Sequence, residues 1–366
     1  MPYNKINLPA YPCNTDIWEK LKNEKRPIVV YGMGNGADKL IERFFEYNIE
    51  ISDFFASDGF VRGHLFHGKR VKSFSEIKAE YEDFVIILSF ASNKSDVIEM
   101  IKEMSENYEM YIPDMPIANT EEYFDKDFYN EHYNEILAAR DALSDEESKK
   151  LFDAVVSYKL SAKPEYLFKY TSSKDELYSL LPCNEIKSYV DVGAYRGDTL
   201  AEAFHYFESL KEAVAIEPDP KTFKRLKKYA ETIDNVNITL HNAASWSENG
   251  EGEFNESGNR NSTVSATASF EHNQRTVPFV TLDSVVVGKV DFIKYDVEGA
   301  EMEALIGSKG LISDYHPSLL VSLYHRSCDI FLIINYLSNE YTGYKFYLRR
   351  LPCLPAWELD LIMIPK

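Results

Sequence analysis

The stretch DVGAYRGDT at residues 191–199 decides the fold of the second half of the chain. It ends a predicted strand and begins a predicted helix, and Gly193 and Gly197 let the backbone turn sharply and approach a ligand without a Cβ clash. The following helix presents free N–H groups at its amino end. The spacing is not G-x-G-x-x-G, because Ala194 and Tyr195 stand where a dinucleotide pyrophosphate needs a close glycine pair. The turn therefore suits a nucleoside without a pyrophosphate; a tight turn that binds no ligand is the alternative.

Strands and helices alternate in the region that follows Ser188. The sequence predicts seven strands, at 188–193, 213–218, 237–244, 291–297, 318–325, 344–351 and 359–365, with helices at 199–210, 220–232, 300–307 and 329–337. This alternation predicts a parallel sheet with right-handed crossovers. The last two strands have no helix between them, which predicts a final hairpin with one antiparallel strand. The polar stretch 245–270 interrupts the pattern, and we expect a mobile loop or hairpin over the site.

A smaller block of the same kind comes first in the chain. Its predicted strands are at 28–31, 51–58, 84–90 and 110–112, with helices at 38–47 and 94–104. The region between the blocks carries apolar residues at helical spacing and few breakers, so it reads as helices that pack on the second block. We therefore predict a small α/β domain over 1–116, a helical connector over 117–182 and a larger α/β domain over 183–366. Because each block has its own alternation of strands and helices, we expect residues from about 117 onward to fold without the first domain.

Composition excludes several classes of protein. The 366 residues carry a formal net charge of −19, and such a surface repels phosphate backbones and anionic membranes. The four cysteines (Cys13, Cys183, Cys328 and Cys353) are far apart, which fits a reducing compartment. The amino end lacks the apolar core of a signal peptide, and the longest apolar runs are far shorter than a membrane helix. We expect a soluble cytoplasmic protein that binds no nucleic acid and does not insert into membranes.

Polar and small residues mark three successive strand ends. Glu217 ends the second strand, about 20 residues beyond Gly197, where an acid can accept hydrogen bonds from both ribose hydroxyls of a nucleoside. Glu217 could instead cap the amino end of the helix that begins at 220, but Asp219 suits that role better. Asn242 and Ala243 end the third strand, where small residues leave room for a flat adenine. In this order, the three strand ends predict a nucleoside site.

Acidic residues cluster at the end of the fourth strand, in KYDVEGAE at 294–301. Asp296 lies on the strand tip, and Asp296 with Glu298 could hold a divalent cation. Glu301 is interpreted as an acid of the first helical turn, matched to the helix dipole. His325 ends the fifth strand at the same sheet edge and is the candidate general base. His316, at the opposite edge, is assigned to structure.

Together these segments carry a resemblance. DVGAYRGDT, AIEPDP, NAAS, TLDSV, IKYDVEGAE and LYHRSCDI resemble, in this order, the FkbM family of S-adenosylmethionine-dependent methyltransferases over about 188–365. The resemblance implies an α/β class I methyltransferase fold, Rossmann-like, with strand order 3-2-1-4-5-7-6. It also implies O-methylation of sugars or natural-product hydroxyls. The segment 143–167 is similar to one found in bacterial members that have an extra N-terminal domain.

The resemblance assigns roles to residues of this chain. Asp296 and His325 face the acceptor, with His325 as the base, and a Mg²⁺ on Asp296 and Glu298 is the alternative. The methyl donor is bound by Asp191, Gly193, Ala194, Tyr195, Gly197, Asp198, Thr199, Glu217, Pro218, Asn242 and Ala243. Two departures from the family pattern are Tyr195, where a small residue or Asn is common, and Arg350-Leu351 in place of a His-Tyr pair. The second departure leaves acceptor specificity open.

The predicted function is methyl transfer from S-adenosylmethionine to a hydroxyl of a sugar, a glycan precursor or a related small molecule. A nicotinamide-dependent oxidoreductase that uses the first domain is disfavoured, because no Tyr-x-x-x-Lys pattern accompanies YGMGNG at 31–36. A non-catalytic nucleotide-binding scaffold is the third interpretation. The first domain, with its glycine turn and Asp58, could bind a nucleotide, or it could serve docking or formation of a homodimer.

Overall fold

A computed structural model describes residues 16–61, 63–117, 122–255, 264–265 and 274–366 of the chain. Its largest sheet has seven strands in the order β10-β9-β8-β15-β16-β18-β17. In chain order they are β8 (Ser188–Val192), β9 (Glu212–Ile216), β10 (Asn237–His241), β15 (Phe292–Tyr295), β16 (Ser318–Ser322), β17 (Tyr344–Arg350) and β18 (Leu359–Pro365). Numbered among themselves, these strands have the predicted order 3-2-1-4-5-7-6. β18 runs antiparallel to both of its neighbours, as predicted.

Helices cover this sheet between its strands. They are α10 (Asp198–Tyr206), α11 (Pro220–Ala230), α12 (Leu282–Val285), α13 (Glu301–Ile306), α14 (Lys309–Tyr315) and α15 (Asp329–Glu340). α11 shows why they begin where they do: Asp219 accepts a hydrogen bond from the Thr222 N–H at 2.6 Å, and Pro220 occupies the first helical position. α12 and α14 are absent from the sequence prediction, because both are short and bounded by no strong signal.

The polar stretch after β10 contains a second, small sheet. Its strands are β11 (Ala244–Ser245), β12 (Gly250–Asn255), β13 (Val264–Ser265) and β14 (Gln274–Val280), in the order β11-β14-β12-β13. β12 pairs antiparallel with both β13 and β14, so part of the predicted loop or hairpin is a hairpin. Residues 256–263 and 266–273, also part of that prediction, lie outside the described residues.

The first part of the chain contains a five-stranded parallel sheet in the order β5-β2-β1-β6-β7. The strands before 112 are β1 (Ile28–Tyr31), β2 (Asp53–Ala56), β3 (Leu65–Phe66), β4 (Lys69–Arg70), β5 (Lys72–Ser73), β6 (Val85–Leu88) and β7 (Met110–Tyr111). The helices are α1 (Ile17–Lys22), α2 (Asn35–Glu46), α3 (Phe74–Glu80) and α4 (Ser95–Asn107). β5 and α3 were not predicted; a capping box at Ser73 and Glu76 begins α3 and was the signal for it.

Five helices join the two sheets: α5 (Lys126–Glu131), α6 (Tyr133–Ala142), α7 (Glu146–Ser161), α8 (Glu165–Lys169) and α9 (Lys174–Tyr178). α7 packs on β17, where the Ser148 hydroxyl accepts a hydrogen bond from the Leu348 N–H at 2.8 Å. Arg349 reaches back to Asp145 at 2.8 Å, so the α7 amino end is also tied to β17 by charge. The connector therefore contacts the second sheet through its side chains and its backbone.

One apolar core runs through all three parts of the chain. It contains Ile86 and Leu88 of the first sheet, Phe152 of α7 and Val190 of the large sheet. Polar contacts follow the same path: the Ile112 N–H donates to the Ala162 carbonyl at 2.7 Å. The sequence pattern did not predict this shared core, because it shows which face of a strand is apolar but not what covers that face.

Candidate active site

A cavity of about 660 Å³ lies at the carboxyl edge of the large sheet. β8 and β15 are neighbours there, although they are far apart in sequence, and the strand order reverses between them. Open α/β sheets bind ligands at such a switch point. The cavity wall includes Gly193 after β8, Glu217 after β9 and Asp296 after β15. The topology therefore brings together three of the strand ends that the sequence singled out.

Gly193 brings the backbone close to the end of β15. Its φ is +87°, and a Cβ at this position would lie 1.9 Å from the carbonyl oxygen of Asp296. Gly197 has a φ of +94°, and a Cβ there would lie 2.3 Å from the ring of Tyr229. Both positions therefore require glycine for space as well as for backbone conformation. Tyr195 also has a positive φ, of +47°, and lines the cavity between them.

Asp191 holds the turn from beneath. It is fully buried, and its Oδ2 accepts a hydrogen bond from the Thr199 hydroxyl at 2.5 Å. Burial raises the pKa of Asp191, and the charge of Lys294 acts against that rise. The cavity wall itself contains Asp198 and Thr199 but not Asp191, Ala194 or Gly197. Asp191 therefore fixes the shape of the turn that contains Gly193 and Gly197, although it does not face the cavity.

Glu217 presents a buried carboxyl group to the cavity. Its Oε2 accepts a hydrogen bond from the Tyr195 N–H at 3.0 Å, and its Oε1 accepts one from the Asp219 N–H at 2.8 Å. Burial raises its pKa to about 8, against the effect of these two N–H groups. In the ionised form of Glu217 each oxygen has two acceptor positions, so one on each oxygen remains for a ligand. This arrangement can accept two hydroxyl donors.

Asn242 supports Glu217 from the next strand end. Its side-chain amide donates to the Glu217 carbonyl at 2.8 Å and to the Pro218 carbonyl at 3.1 Å. Asn242 does not belong to the cavity wall, whereas Pro218 and Ala243 do. Asn242 therefore lies behind the wall, and Ala243 is the residue of this strand end that faces the cavity.

Asp296 is the ionised group of the opposite wall. The Lys294 ammonium donates to its Oδ2 at 3.1 Å, and the Tyr324 hydroxyl donates to its Oδ1 at 3.3 Å. Burial alone would raise the pKa of Asp296, but the charges of Lys294 and His325 outweigh it and hold that pKa below the usual value. Asp296 is thus a carboxylate fixed by a cation and a phenol beside the cavity.

His325 lies behind this wall and is fully buried. Its Nδ1 is 2.9 Å from Oε1 of Glu301, and its Nε2 is 3.5 Å from carboxylate oxygens of both Asp296 and Glu298. Burial lowers the pKa of His325, but the three carboxylates together raise it to about 10. The imidazole is therefore protonated at neutral pH and has no lone pair with which to accept a proton. A protonated ring disfavours the predicted base role, which stays a prediction, and the sequence could not show how many acids surround the ring.

Glu301 holds the loop between β15 and α13 as well as His325. Its Oε1 accepts from the Val297 N–H at 2.8 Å, and its Oε2 accepts from the Gly299 N–H at 3.1 Å. Glu301 begins α13, as predicted, and in the core it pairs with the imidazolium of His325. His316, assigned to structure from the sequence, ends α14 and stacks on the ring of Tyr344.

A cation could be held by Asp296, Glu301 and His325, whose ligand atoms lie within 4.8 Å of one another. Glu298, which was predicted as a ligand, does not belong to this group. The Lys294 ammonium already lies against Asp296, and two backbone N–H groups occupy Glu301. The donor set is therefore already satisfied by cations and N–H groups of the protein, which disfavours a metal.

Part of the cavity wall carries no signal that the sequence motifs include. Asp360, the second residue of β18, lines the cavity next to Ser322, with which it is paired in the sheet. Burial raises its pKa to about 8, with further contributions from Glu358 and Asp296. The signal was available: an antiparallel strand places its first residues at the edge where parallel strands end. Missed residues elsewhere on the wall include Asn93, Ser95, Lys174, Tyr178, Tyr324 and Glu358.

The glycine turn of the first sheet packs on β6. A Cβ at Gly36 would lie 2.1 Å from the Ser89 carbonyl oxygen, and one at Gly32 would lie 2.7 Å from the Ser89 hydroxyl. Close packing thus accounts for two of the three glycines. Asp58 bonds to the Ser75 hydroxyl at 2.6 Å. Nucleotide binding by this turn stays a prediction.

The sheet order and the cavity at its switch point define a class I methyltransferase-like fold. Residues 191–346 match the family model described as the methyltransferase FkbM domain. The crystal structure of methyltransferase FkbM from Methylobacillus flagellatus KT is similar in fold, with a TM-score of 0.68 and 20% identity. The similarity covers 92% of this chain and 90% of that one.

Two other solved structures cover about half of the chain. An rRNA methylase from Streptococcus thermophilus has a TM-score of 0.34 and 11% identity, covering 52% of this chain and 92% of that one. Aeropyrum pernix fibrillarin with bound S-adenosyl-L-methionine has a TM-score of 0.33 and 13% identity, covering 52% and 74%. No curated protein sequence matches the chain. No helix among the described residues is long and apolar enough to cross a membrane.

Proposed function

We propose that this methyltransferase uses S-adenosylmethionine and methylates a hydroxyl of a sugar, a glycan precursor or a related small molecule. The observation that carries the proposal is one cavity with two unlike ends. Glu217 offers a buried acceptor pair at one end, and Asp296 offers a fixed carboxylate at the other. Gly193 lies between them, where the turn after β8 comes close to the end of β15.

The donor half fits a nucleoside with an amino-acid tail. Glu217 would accept the two ribose hydroxyls, and Ala243 would border the adenine. The turn at Gly193 and Tyr195, with Asp198 and Thr199 at the start of α10, would hold the tail. When bound, S-adenosylmethionine supplies a methyl group on a positively charged sulfur. The acidic cavity wall suits that charge.

The reaction requires alignment and removal of one proton. The C–S bond of the donor breaks as the C–O bond to the acceptor forms, and the electron pair of the C–S bond stays on sulfur. The acceptor hydroxyl loses its proton to a carboxylate of the wall. Alignment and proton transfer are the two contributions that the protein can make here.

We propose that Asp296, and not His325, is the base that accepts the proton of the acceptor hydroxyl. Asp296 lines the cavity, whereas His325 is protonated behind it. Lys294, Tyr324 and His325 hold the Asp296 carboxylate in one place. His325 is therefore a positioning residue in this proposal. Asp360 is the second candidate, because its pKa of about 8 lies close to neutral pH.

The pH dependence of kcat and kcat/KM, measured for Asp296→Asn and Asp360→Asn, distinguishes the two carboxylates. Asp314→Asn, on the exposed side of α14, is the control. If Asp296 is the base, its variant loses 10²–10⁴-fold in kcat and the parent profile is flat near pH 8. If Asp360 is the base, kcat/KM rises with pH through about 8 and this rise disappears in Asp360→Asn. Normal turnover in both variants would exclude Asp296 and Asp360 as the base.

Two simple measurements test the alternatives. Mass spectrometry of the nucleoside that co-purifies distinguishes S-adenosylmethionine or its product from a nicotinamide dinucleotide. Addition of EDTA tests the divalent cation, for which the grouping of Asp296, Glu301 and His325 is the supporting observation. Unchanged turnover in EDTA is expected, whereas loss that Mg²⁺ restores would support metal catalysis instead.

A further inference from the structure

The half of the cavity beyond Asp296 is built from residues to which the sequence motifs assigned no role. Moving along the sheet from β15 away from Glu217, the next strands are β16, β18 and β17. Tyr324 follows β16, while Glu358 and Asp360 flank the start of β18. All three line the cavity. Since the donor residues occupy the ends of β8 and β9, this side is left for the acceptor.

The first sheet closes this end of the cavity. Ser92, after β6, forms two backbone hydrogen bonds with Leu354: its N–H donates at 2.8 Å and its carbonyl accepts at 2.9 Å. The bridge fixes the 92–95 loop against the segment between β17 and β18. Asn93 and Ser95 of this loop belong to the cavity wall. The first sheet therefore contributes directly to the site.

The wall carries a strong excess of negative charge. Of its described residues, eight are acidic and two are lysines. Lys174 pairs with Glu202, and the Lys294 ammonium lies against Asp296, so both lysines already face carboxylates. On the acceptor side Lys294 stands against Asp296, Glu298 and Glu358, and Asp360 adds a further negative charge as pH rises through its pKa of about 8. A phosphoryl or carboxylate group placed here would meet like charge in a partly enclosed space, where charges are weakly screened.

We infer that Asn93, Ser95, Glu358 and Asp360 form an acceptor-selecting wall that admits uncharged or ammonium-bearing hydroxyl compounds and rejects phosphorylated ones. The amide of Asn93 and the hydroxyl of Ser95 supply hydrogen bonds to a polyhydroxyl acceptor. Glu358 and Asp360 determine which charge on the acceptor the wall admits. Sugar phosphates, nucleotide-linked sugars and RNA are excluded by the same charge. The inference rests on the proposed function, because it takes this cavity to be the methyl-transfer site.

Saturation-transfer NMR on the full chain with S-adenosylhomocysteine present tests this selection. The probes are methyl α-glucopyranoside, glucosamine and glucose 6-phosphate. We expect signal from the first two, at least tenfold less from the phosphate, and a weaker glycoside signal in Asn93→Ala/Ser95→Ala. Glu358→Lys should raise the phosphate signal, while Glu208→Lys, an exposed site beyond the far end of α10, should not.

Equal or stronger binding of the phosphate, unchanged binding in the Asn93→Ala/Ser95→Ala variant, or no signal from any sugar would overturn the inference. Calorimetric titration with S-adenosylhomocysteine is run first and reports on the donor half alone. Failure of that titration contradicts the proposed function. Success there, followed by the wrong sugar selectivity, contradicts the acceptor inference only.

Discussion

His325 and Glu301 form an ion pair inside the core: Nδ1 of the imidazole is 2.9 Å from Oε1 of the carboxylate, and each side chain is 1% exposed. The same ring faces Asp296 and Glu298 through its other nitrogen. The pair thus joins the end of β16 to the turn that carries the acids of the cavity wall. Its role is to hold that turn.

Replacing either member of this pair should destabilise the fold. We expect His325→Gln or Glu301→Gln to lower the free energy of unfolding by about 3–5 kcal/mol, because each leaves a buried charge without its partner. The double variant should lose less than the sum of the two, by about 0.5–3 kcal/mol. Urea unfolding of the four proteins measures this coupling. Strict additivity would show that the two side chains do not interact.

Stability should fall as pH rises from about 6.5 to 10. The pKa of His325 is raised from 6.5 to about 10, so its contribution is fully present below 6.5 and is lost as pH approaches 10. Glu217 and Asp360, whose pKa values are raised to about 8, act in the same direction up to that pH. Each group contributes about 1.4 kcal/mol per pH unit. Thermal unfolding across this range should show the decline, and His325→Gln should flatten it above pH 8.

Loss of the Glu217 carboxylate should weaken donor binding. Glu217→Ala removes the acceptors for the ribose and strands the N–H groups of Tyr195 and Asp219, so S-adenosylhomocysteine should bind about 1–3 kcal/mol more weakly. Glu212→Ala, at the exposed start of the same strand, serves as the control. Calorimetry measures both. Equal affinity in the two variants would remove Glu217 from the ribose role.

A methyl group at Gly193 should abolish donor binding through a clash that can be separated from backbone strain. Gly193→Ala places its Cβ 1.9 Å from the Asp296 carbonyl oxygen, whereas Gly288 has a similar positive φ of +91° and open space around it. Gly288→Ala should therefore cost only the strain, about 1–2 kcal/mol of stability, and bind the donor normally. If both variants bind equally, close backbone approach at Gly193 is not required.

Removal of residues 1–116 should leave a protein without a fixed fold. The deletion uncovers Leu354, which is 1% exposed and bridged to Ser92, and Phe124, which packs in the core shared with the first sheet. We expect insoluble material, or a soluble form that lacks near-ultraviolet circular dichroism. A soluble fragment that has that signal and binds S-adenosylhomocysteine would instead show that the second part folds alone.

The sequence by itself determined the large sheet and the glycine turn at its carboxyl edge. The strand periodicity, the glycines at 193 and 197 and the acid at 217 are local signals, because turn geometry and alternation act over a few residues. The strand pattern predicted the antiparallel β18, the family resemblance implied the strand order, and both are confirmed. Tertiary structure decided the rest. Whether His325 is a base or a buried cation depends on three carboxylates from a different segment, and the acceptor wall joins residues 93 and 360. Such charge and contact relationships arise only when distant segments pack together, since desolvation and Coulomb energy depend on distance in space.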